Sequence, residues 1–292
     1  MQIENYFDSQ TMSVHLRENT CPIAKKGTPG KWNIVKISDD KTSFEKIKEI
    51  TQEIMDATEN SEKSFLEIER NGSTIIQHLD FRIVITRKPF SDGLEITAVR
   101  PVAKLNLEDY QLEEVLKERL TKSSKGILIA GSPGEGKTTI ARALAEYFSK
   151  EGKIVKTVES PRDMLLSDEI TQYSLNHADS SEIHDVLLLS RPDRTFFDEM
   201  RNTKDFQLFA DLRLAGIGMI GIVHATNPID AIQRFIGRIE MGIIPQVIDT
   251  VVFVKSGEID TVLTLNMIVK VPSGMIEADL ARPLVEVRDF FT

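Results

Sequence analysis

The stretch Gly131-Ser132-Pro133-Gly134-Glu135-Gly136-Lys137-Thr138, followed by Thr139, constrains this chain more than any other. Before it lies Gly126 to Ala130, an apolar run that predicts a buried strand, and after it apolar residues recur at helical spacing as far as Phe148. A strand that runs through a glycine-rich turn into a helix is the setting of a phosphate cradle. Gly131, Gly134 and Gly136 let the backbone turn so that successive N–H groups converge on phosphate oxygens, and the helix starting near Lys137 adds the positive end of its dipole. In such a cradle Lys137 bridges the β- and γ-phosphates of ATP and Thr138 ligates Mg²⁺, while Ser132, Pro133, Glu135 and Thr139 complete the loop around the nucleotide. A chance turn before a core helix is the bland alternative, and the agreement of strand, loop and helix weighs against it.

At 292 residues the chain has room for two domains, each with its own core, and its 41% apolar and 28% charged residues describe an ordinary soluble globular protein. Its apolar runs, such as Ile217 to Val223, fall far short of the roughly 20 residues of a membrane-spanning helix, and its start carries no basic-then-apolar signal. The expected compartment is the cytoplasm. Cys21 is the only cysteine, which excludes an intrachain disulfide and a cysteine-rich zinc site. A net charge of -9 argues against indiscriminate nucleic-acid binding by the whole surface, although a local basic channel is compatible with it.

The fold class expected is α/β, a P-loop (RecA-like) ATPase domain preceded by a smaller N-terminal α+β domain. Residues 1–104 are read as the α+β domain. There Thr42 and Glu45 form a capping box before a helix with apolar Phe44, Ile47, Ile50 and Ile54, and strands flank the Asn71-Gly72 turn. Further strands are read in Phe81 to Thr86 and Leu94 to Val99, and a hinge begins at Arg100. Residues 105–292 are read as the ATPase domain, with strands at Gly126 to Ala130, Lys153 to Glu159, Thr195 to Asp198 and Ile217 to Val223 alternating with helices, one of them capped by Asn227. Antiparallel strands from Thr250 onward finish the sheet.

A cradle alone does not separate a kinase, a switch and a motor. The apolar strand in RPDRTFFDEMR ends in the pair Asp198-Glu199. Asp198 at such a strand end can hold the Mg²⁺ hydration shell, and Glu199 can orient and polarise the attacking water, so the pair favours hydrolysis over transfer. Glu159 and His224 also sit at strand ends, where parallel sheets place their ligands, and both are candidates to face the γ-phosphate. A hydrogen-bonded structural histidine stays open for His224. His15, His78, His177 and His184 have no metal-ligand spacing and read as structural or exposed.

Taken in order, the cradle, VESPRD, RPDRTFFDEMR and GIVHATNPIDAIQRFIGR resemble the secretion-motor superfamily of hexameric ATPases, and most closely its archaeal PIN-domain branch. The likeness spans nearly the whole chain. Secretion and pilus motors usually carry Gly-Glu where this chain has Asp198-Glu199, and the nuclease-like PIN and KH-type modules of the PIN branch are not recognisable, as in a trimmed core. The resemblance implies a homo-oligomeric ring, six subunits with ATP at the seams, in which arginines from the small domain reach a neighbour's nucleotide. Arg87 and Arg100 match those positions best, with Arg82 a weaker match. Arg201 is open to two roles, linking nucleotide state to movement or pairing with a carboxylate.

For the PIN branch the resemblance implies DNA as the work substrate: helicase-type branch migration of four-way (Holliday) junctions in recombination and repair. The sequence adds a small basic, glycine-containing loop, Lys25-Lys26-Gly27 with Lys31, that is a candidate to contact phosphates. Two alternatives remain open: a secretion or pilus-assembly motor with a membrane-protein partner, and a monomeric phosphotransferase.

Overall fold

The computed structural model describes residues 1–28, 31–61, 63–100, 105–162, 164–270 and 282–292. The chain divides into two compact units, Met1–Lys104 with Ser160–Leu165, and Leu105–Glu159 with Leu166–Thr292. The hinge expected from Arg100 onward falls partly on 101–104, outside the described residues.

The first unit comprises β1 (Thr11–Arg17), β2 (Ile23–Thr28), β3 (Lys31–Lys36), α1 (Phe44–Glu59), β4 (Ser64–Arg70), β5 (Ser73–His78), β6 (Phe81–Thr86) and β7 (Glu95–Val99). Its strands form one antiparallel sheet in the order β3-β2-β1-β7-β6-β5-β4. Helix α1 lays Ile47, Ile50 and Ile54 into a core with Val14, Leu16, Ile83, Ile85 and Ile96. That is the apolar stripe expected, except that Phe44, at the first helical residue, overruns the core and is exposed. The cap also differs: Ser43, not Thr42, accepts from the Lys46 N–H at 3.1 Å.

Arg70 pairs with Ser73, so Asn71-Gly72 forms the expected two-residue turn. Glycine is needed there because Phe90 packs on its Cα; an added Cβ would lie 2.0 Å from the Phe90 Cβ. The basic stretch read as a loop is instead part of a hairpin. Lys25, Lys26 and Gly27 belong to β2 and Lys31 to β3, since Gly27 pairs with Trp32 and Thr28 with Lys31 in an uninterrupted register.

The second unit comprises α2 (Glu114–Glu118), β8 (Gly126–Gly131), α3 (Lys137–Lys150), β9 (Val155–Glu159), β10 (Thr171–Ser174), α4 (Ser180–Ser190), β11 (Arg194–Phe197), α5 (Thr203–Leu214), β12 (Gly218–His224), α6 (Pro228–Gln233), α7 (Ile244–Val247), β13 (Thr250–Lys255), β14 (Glu258–Lys270) and β15 (Arg282–Asp289). The sheet runs β10-β9-β11-β12-β8-β13-β14-β15, parallel from β10 to β13, with β14 and β15 antiparallel at the end.

Every residue of β8 is buried, as a parallel strand covered on both faces requires. Leu128 and Ala130 join the cluster built on Phe206, Phe209 and Phe235, whereas Ile127 and Ile129, on the opposite parity, are buried without joining it. Helix α3 packs on β8, β9, β11 and β12. The edge strand β10 and the final strand β15 were not foreseen; Thr171–Ser174 is short and polar and carries no alternation.

Candidate active site

Register brings the predicted residues together. Strand β12 lies between β8 and β11, and Gly131, where the cradle begins, pairs with His224. On the other side Phe197 pairs with Gly221, so Asp198 and Glu199 leave β11 at the same end of the sheet. Three adjacent parallel strands thus deliver a phosphate loop, a histidine and two carboxylates to one edge, the carboxyl end where such sheets hold ligands.

Within the loop, Gly131 cannot carry a side chain: a Cβ would sit 2.4 Å from the Val254 carbonyl oxygen of β13. Gly136, with φ of 92°, turns the chain into α3 in the left-handed region that favours glycine. The loop is pinned from outside by the turn between β13 and β14. The Gly257 N–H donates to the Glu135 carbonyl at 3.0 Å, and the Ser256 N–H donates to the Glu135 carboxylate. Glu135 therefore shapes the loop, and its side chain is already engaged.

Lys137 is only 5% exposed and donates from Nζ to the Ser132 carbonyl at 2.7 Å. Burial pulls its pKa down to about 8, opposed by the charges of Asp198 and Glu135. A buried lysine held over a turn of backbone amides is short of negative charge, and a phosphate would supply it. Asp198 is 8% exposed and accompanies it. Thr138 and Thr139 follow in the first turn of α3, partly buried. A threonine hydroxyl and an aspartate carboxylate are the hard oxygen donors Mg²⁺ takes. Among the described residues no group of three His, Cys, Asp or Glu could hold a metal, so these ligands would have to be completed by phosphates and water.

Glu199 is the most constrained side chain of the site. Its φ of 57° is left-handed, a conformation that costs a non-glycine residue about 1–2 kcal/mol. Its Oε1 lies 2.5 Å from His224 Nε2, and its Oε2 accepts from the Arg201 guanidinium. Burial lowers the His224 pKa, and the cations Lys137, Arg234 and Arg201 lower it further, so the ring is neutral near pH 7. A neutral ring beside an ionised carboxylate carries its proton on Nε2 and donates it to Glu199. Of the two roles open for Arg201, the observed one is pairing with this carboxylate.

The other predicted residues stand elsewhere. Glu159 is fully buried; its Oε1 accepts from Thr157 and, at 2.8 Å, from Gln172 of β10. Its strand is three positions from β8 in the sheet, roughly 14 Å at ordinary strand spacing. In the first unit Arg87 donates to the carbonyls of Asn71 and Arg70 and to the Thr74 hydroxyl, fastening the β4–β5 turn. Arg100 donates to the Asp8 carbonyl at 2.6 Å and lies over the rings of Phe7 and Phe81. Arg82 is partly buried in β6.

Two contributors have no signature in the sequence. Arg234, one residue beyond α6, donates to the His224 carbonyl at 3.0 Å, and the Ser256-Gly257 turn braces the cradle. Arg234 lies within the GIVHATNPIDAIQRFIGR segment, but nothing in its spacing marks it.

The family model for Type II/IV secretion system protein matches residues 89–263, more than half of the chain. The chain belongs to that family. It is 56% identical over 292 residues, all of this chain and 57% of the other, to the Holliday junction branch migration ATPase PINA of Sulfolobus acidocaldarius. It is 53% identical over 290 residues to an uncharacterized KH and PIN-domain containing protein of Methanocaldococcus jannaschii, covering 99% of this chain and 45% of that one. The chain thus spans about half the length of the curated relatives it matches. Among solved structures, the Legionella pneumophila ATPase DotB matches with a TM-score of 0.66 at 14% identity, covering 99% of this chain and 79% of that one. The pilus retraction motor PilT with bound ADP matches with a TM-score of 0.61 at 16% identity, covering 99% and 82%. This family member therefore shares the secretion-ATPase fold, a RecA-like core with a smaller N-terminal domain.

Two outcomes follow from the geometry. Because the cation at Lys137 is retained only below its pKa of about 8 and bound phosphate would raise that value, ADP affinity should fall as pH rises above 8. The slope should approach tenfold per unit, and Lys137→Arg should flatten it; calorimetric titration between pH 7 and 10 measures this. Glu199→Gln should keep ATP binding while lowering steady-state hydrolysis about 10²–10⁴-fold. Hydrolysis at the wild-type rate would remove Glu199 from its assigned role.

Proposed function

We propose that this chain is the ATP-hydrolysing core of a ring-forming motor that works on branched DNA, with residues 105–292 as the ATPase domain and residues 1–104 as the smaller moving domain. The observation that carries the hydrolytic part is Glu199, braced between His224 and Arg201 at the strand end beside the Lys137 loop. A carboxylate with both oxygens held is oriented before water arrives, which is how catalysis by positioning proceeds.

In this reading the backbone from Gly131 to Gly136 and the side chain of Lys137 bind the phosphates of ATP, with Ser132, Pro133, Glu135 and Thr139 around them. Thr138 and Asp198 hold Mg²⁺, which neutralises charge on the phosphate oxygens. Glu199 orients the attacking water and takes its proton, and neutral His224 keeps the carboxylate in place by donating from Nε2. Glu159 supports the rim from β9. Arg87 and Arg100 are assigned to a neighbour's nucleotide, which requires each to give up the carbonyl contacts it makes within its own unit.

The likeness to a branch migration ATPase over the full length of this chain supports Holliday junctions as substrate. A six-membered ring and a cytoplasmic location, where ATP and DNA meet, belong to the same reading. The family model favours a second reading, a secretion or pilus motor. That reading predicts a membrane-protein partner and no stimulation by DNA; among the described residues no helix is long and apolar enough to cross a membrane.

The test is the ATPase rate with and without duplex, single-stranded and four-way-junction DNA, titrated against salt. Junction DNA should raise the rate several-fold, and the effect should fade as salt rises because phosphate contacts release counterions. A rate indifferent to every DNA would favour the secretion reading. For the arginines, rings mixed from Arg87→Ala or Arg100→Ala and Lys137→Ala subunits should regain part of the activity each lacks alone; no recovery in any mixture would end their action in trans.

A further inference from the structure

The β2–β3 hairpin is built unlike the rest of the sheet it edges. All six residues of β3 are exposed, including Trp32, Ile34 and Val35. Antiparallel pairing puts Trp32 opposite Gly27, Ile34 opposite Lys25 and Lys36 opposite Ile23. Ala24, on the alternate parity, is buried in the core beside its partner Val14. The set Ile23, Lys25, Trp32, Ile34 and Lys36 therefore lies on the face away from the core. Trp32 is 46% and Ile34 66% exposed there, on an edge strand, where chains ordinarily avoid large apolar groups.

The arrangement is a built one. Gly27 has φ of 138°, and a Cβ on it would come within 2.3 Å of the Lys31 carbonyl oxygen and 2.8 Å of the Trp32 Cα. The absence of a side chain there lets the β2 backbone lie against the β3 backbone at Lys31 and Trp32. Lys25, diagonal to Trp32 in the register, places its Nζ 3.7 Å from the ring centroid, which fixes the ring while leaving it half exposed. Lys26 and Lys36 are matched by Asp8 and Asp39, each at 2.6 Å. Lys25 has no carboxylate partner among the described residues, although the chain carries a net charge of -9; Lys31, opposite Thr28, lies on the other face of β3. Other charged or titratable groups on this face are His15, whose ring contacts Thr97, Glu95, and Arg17 with Asp92.

We propose that this hairpin face is the DNA-contacting surface: Trp32 stacks on a base exposed at a branch point, and Lys25 beside it contacts a flanking phosphate. The proposal rests on the DNA reading above and specifies where and how the DNA is held. An aromatic platform with unneutralised lysines is the chemistry by which proteins hold unpaired nucleotides without regard to sequence. A protein partner could cover the apolar residues but would have to bring a carboxylate of its own to Lys25, whereas unpaired DNA brings a ring for Trp32 and a phosphate for Lys25 together, so the pairing of the two selects nucleic acid.

Trp32 is the only tryptophan of the chain, so its emission reports this face alone. Four-way-junction DNA added to the 292-residue protein at low salt should quench that emission, and added salt should restore it. Trp32→Ala should bind the junction about tenfold more weakly, with Trp32→Phe within about threefold of wild type. Lys25→Ala should lower the slope of log affinity against log salt by about 1, and Lys31→Ala, on the opposite face of β3, should leave it unchanged.

Junction binding seen by gel mobility with unchanged emission and unchanged mutant affinities would overturn the proposal and leave the DNA reading standing. No junction binding by the wild type at any salt would overturn both. An emission change on ATP-driven assembly, with none on DNA, would show a second copy on this face and overturn the proposal alone. Should Trp32→Ala fail to fold by circular dichroism, wild-type quenching and the Lys25→Ala salt slope still decide.

Discussion

The arrangement of the second unit turns on one buried cation. Lys137 lies at the mouth of a parallel sheet, withdrawn from water and, among the described residues, satisfied by the carbonyl of its own loop and the nearby charge of Asp198 and Glu135. Burying an ammonium group is costly unless opposite charge is near, and the lowered pKa is the signature of that cost. Triphosphate would meet the demand with several oxygens at once. The features around the lysine, Gly131 pressed against β13, Gly136 at the helix start and Glu135 tied to the β13–β14 turn, fix the course of the loop.

A second consequence follows from strand order. Because β12 separates the cradle strand from the acidic strand, His224 stands between the phosphate loop and Glu199. The lowered pKa of the histidine and the left-handed backbone of Glu199 belong to one device: a neutral donor and a guanidinium hold a carboxylate in a conformation its own backbone disfavours. Arg234 supports the device from behind by holding the His224 carbonyl. Strain kept at such a point by its surroundings is where local structure serves positioning rather than stability.

Arginines of both units either meet a carboxylate or hold backbone carbonyls. In the second unit Arg201 meets the candidate catalytic carboxylate directly and Arg234 holds the His224 carbonyl. In the first, Arg87 and Arg100 hold backbone carbonyls, and both contributions are to local shape: one secures a turn, the other ties the residue after β7 to the segment before β1. Guanidinium groups in such contacts remain always charged and planar, which suits them equally to bracing a loop and to meeting a phosphoryl group.

The strand–loop–helix of the cradle was legible because glycine spacing and apolar periodicity are local properties, and the same holds for Asp198-Glu199 and His224 at the ends of apolar strands. The Asn71-Gly72 turn was legible too, although glycine there makes room for Phe90. What the chain order could not reveal was set by distant pairing. Strand order put His224 beside Gly131 and set Glu159 three strands away from the cradle strand, and the β2–β3 register turned an apparent basic loop into a hairpin with Trp32 opposite Gly27 and beside Lys25. The sequence by itself thus determined which residues could bind phosphate and which elements would carry them. Only the tertiary structure decided which of them meet, because hydrogen-bond register between strands far apart in the chain depends on the packing of the whole sheet.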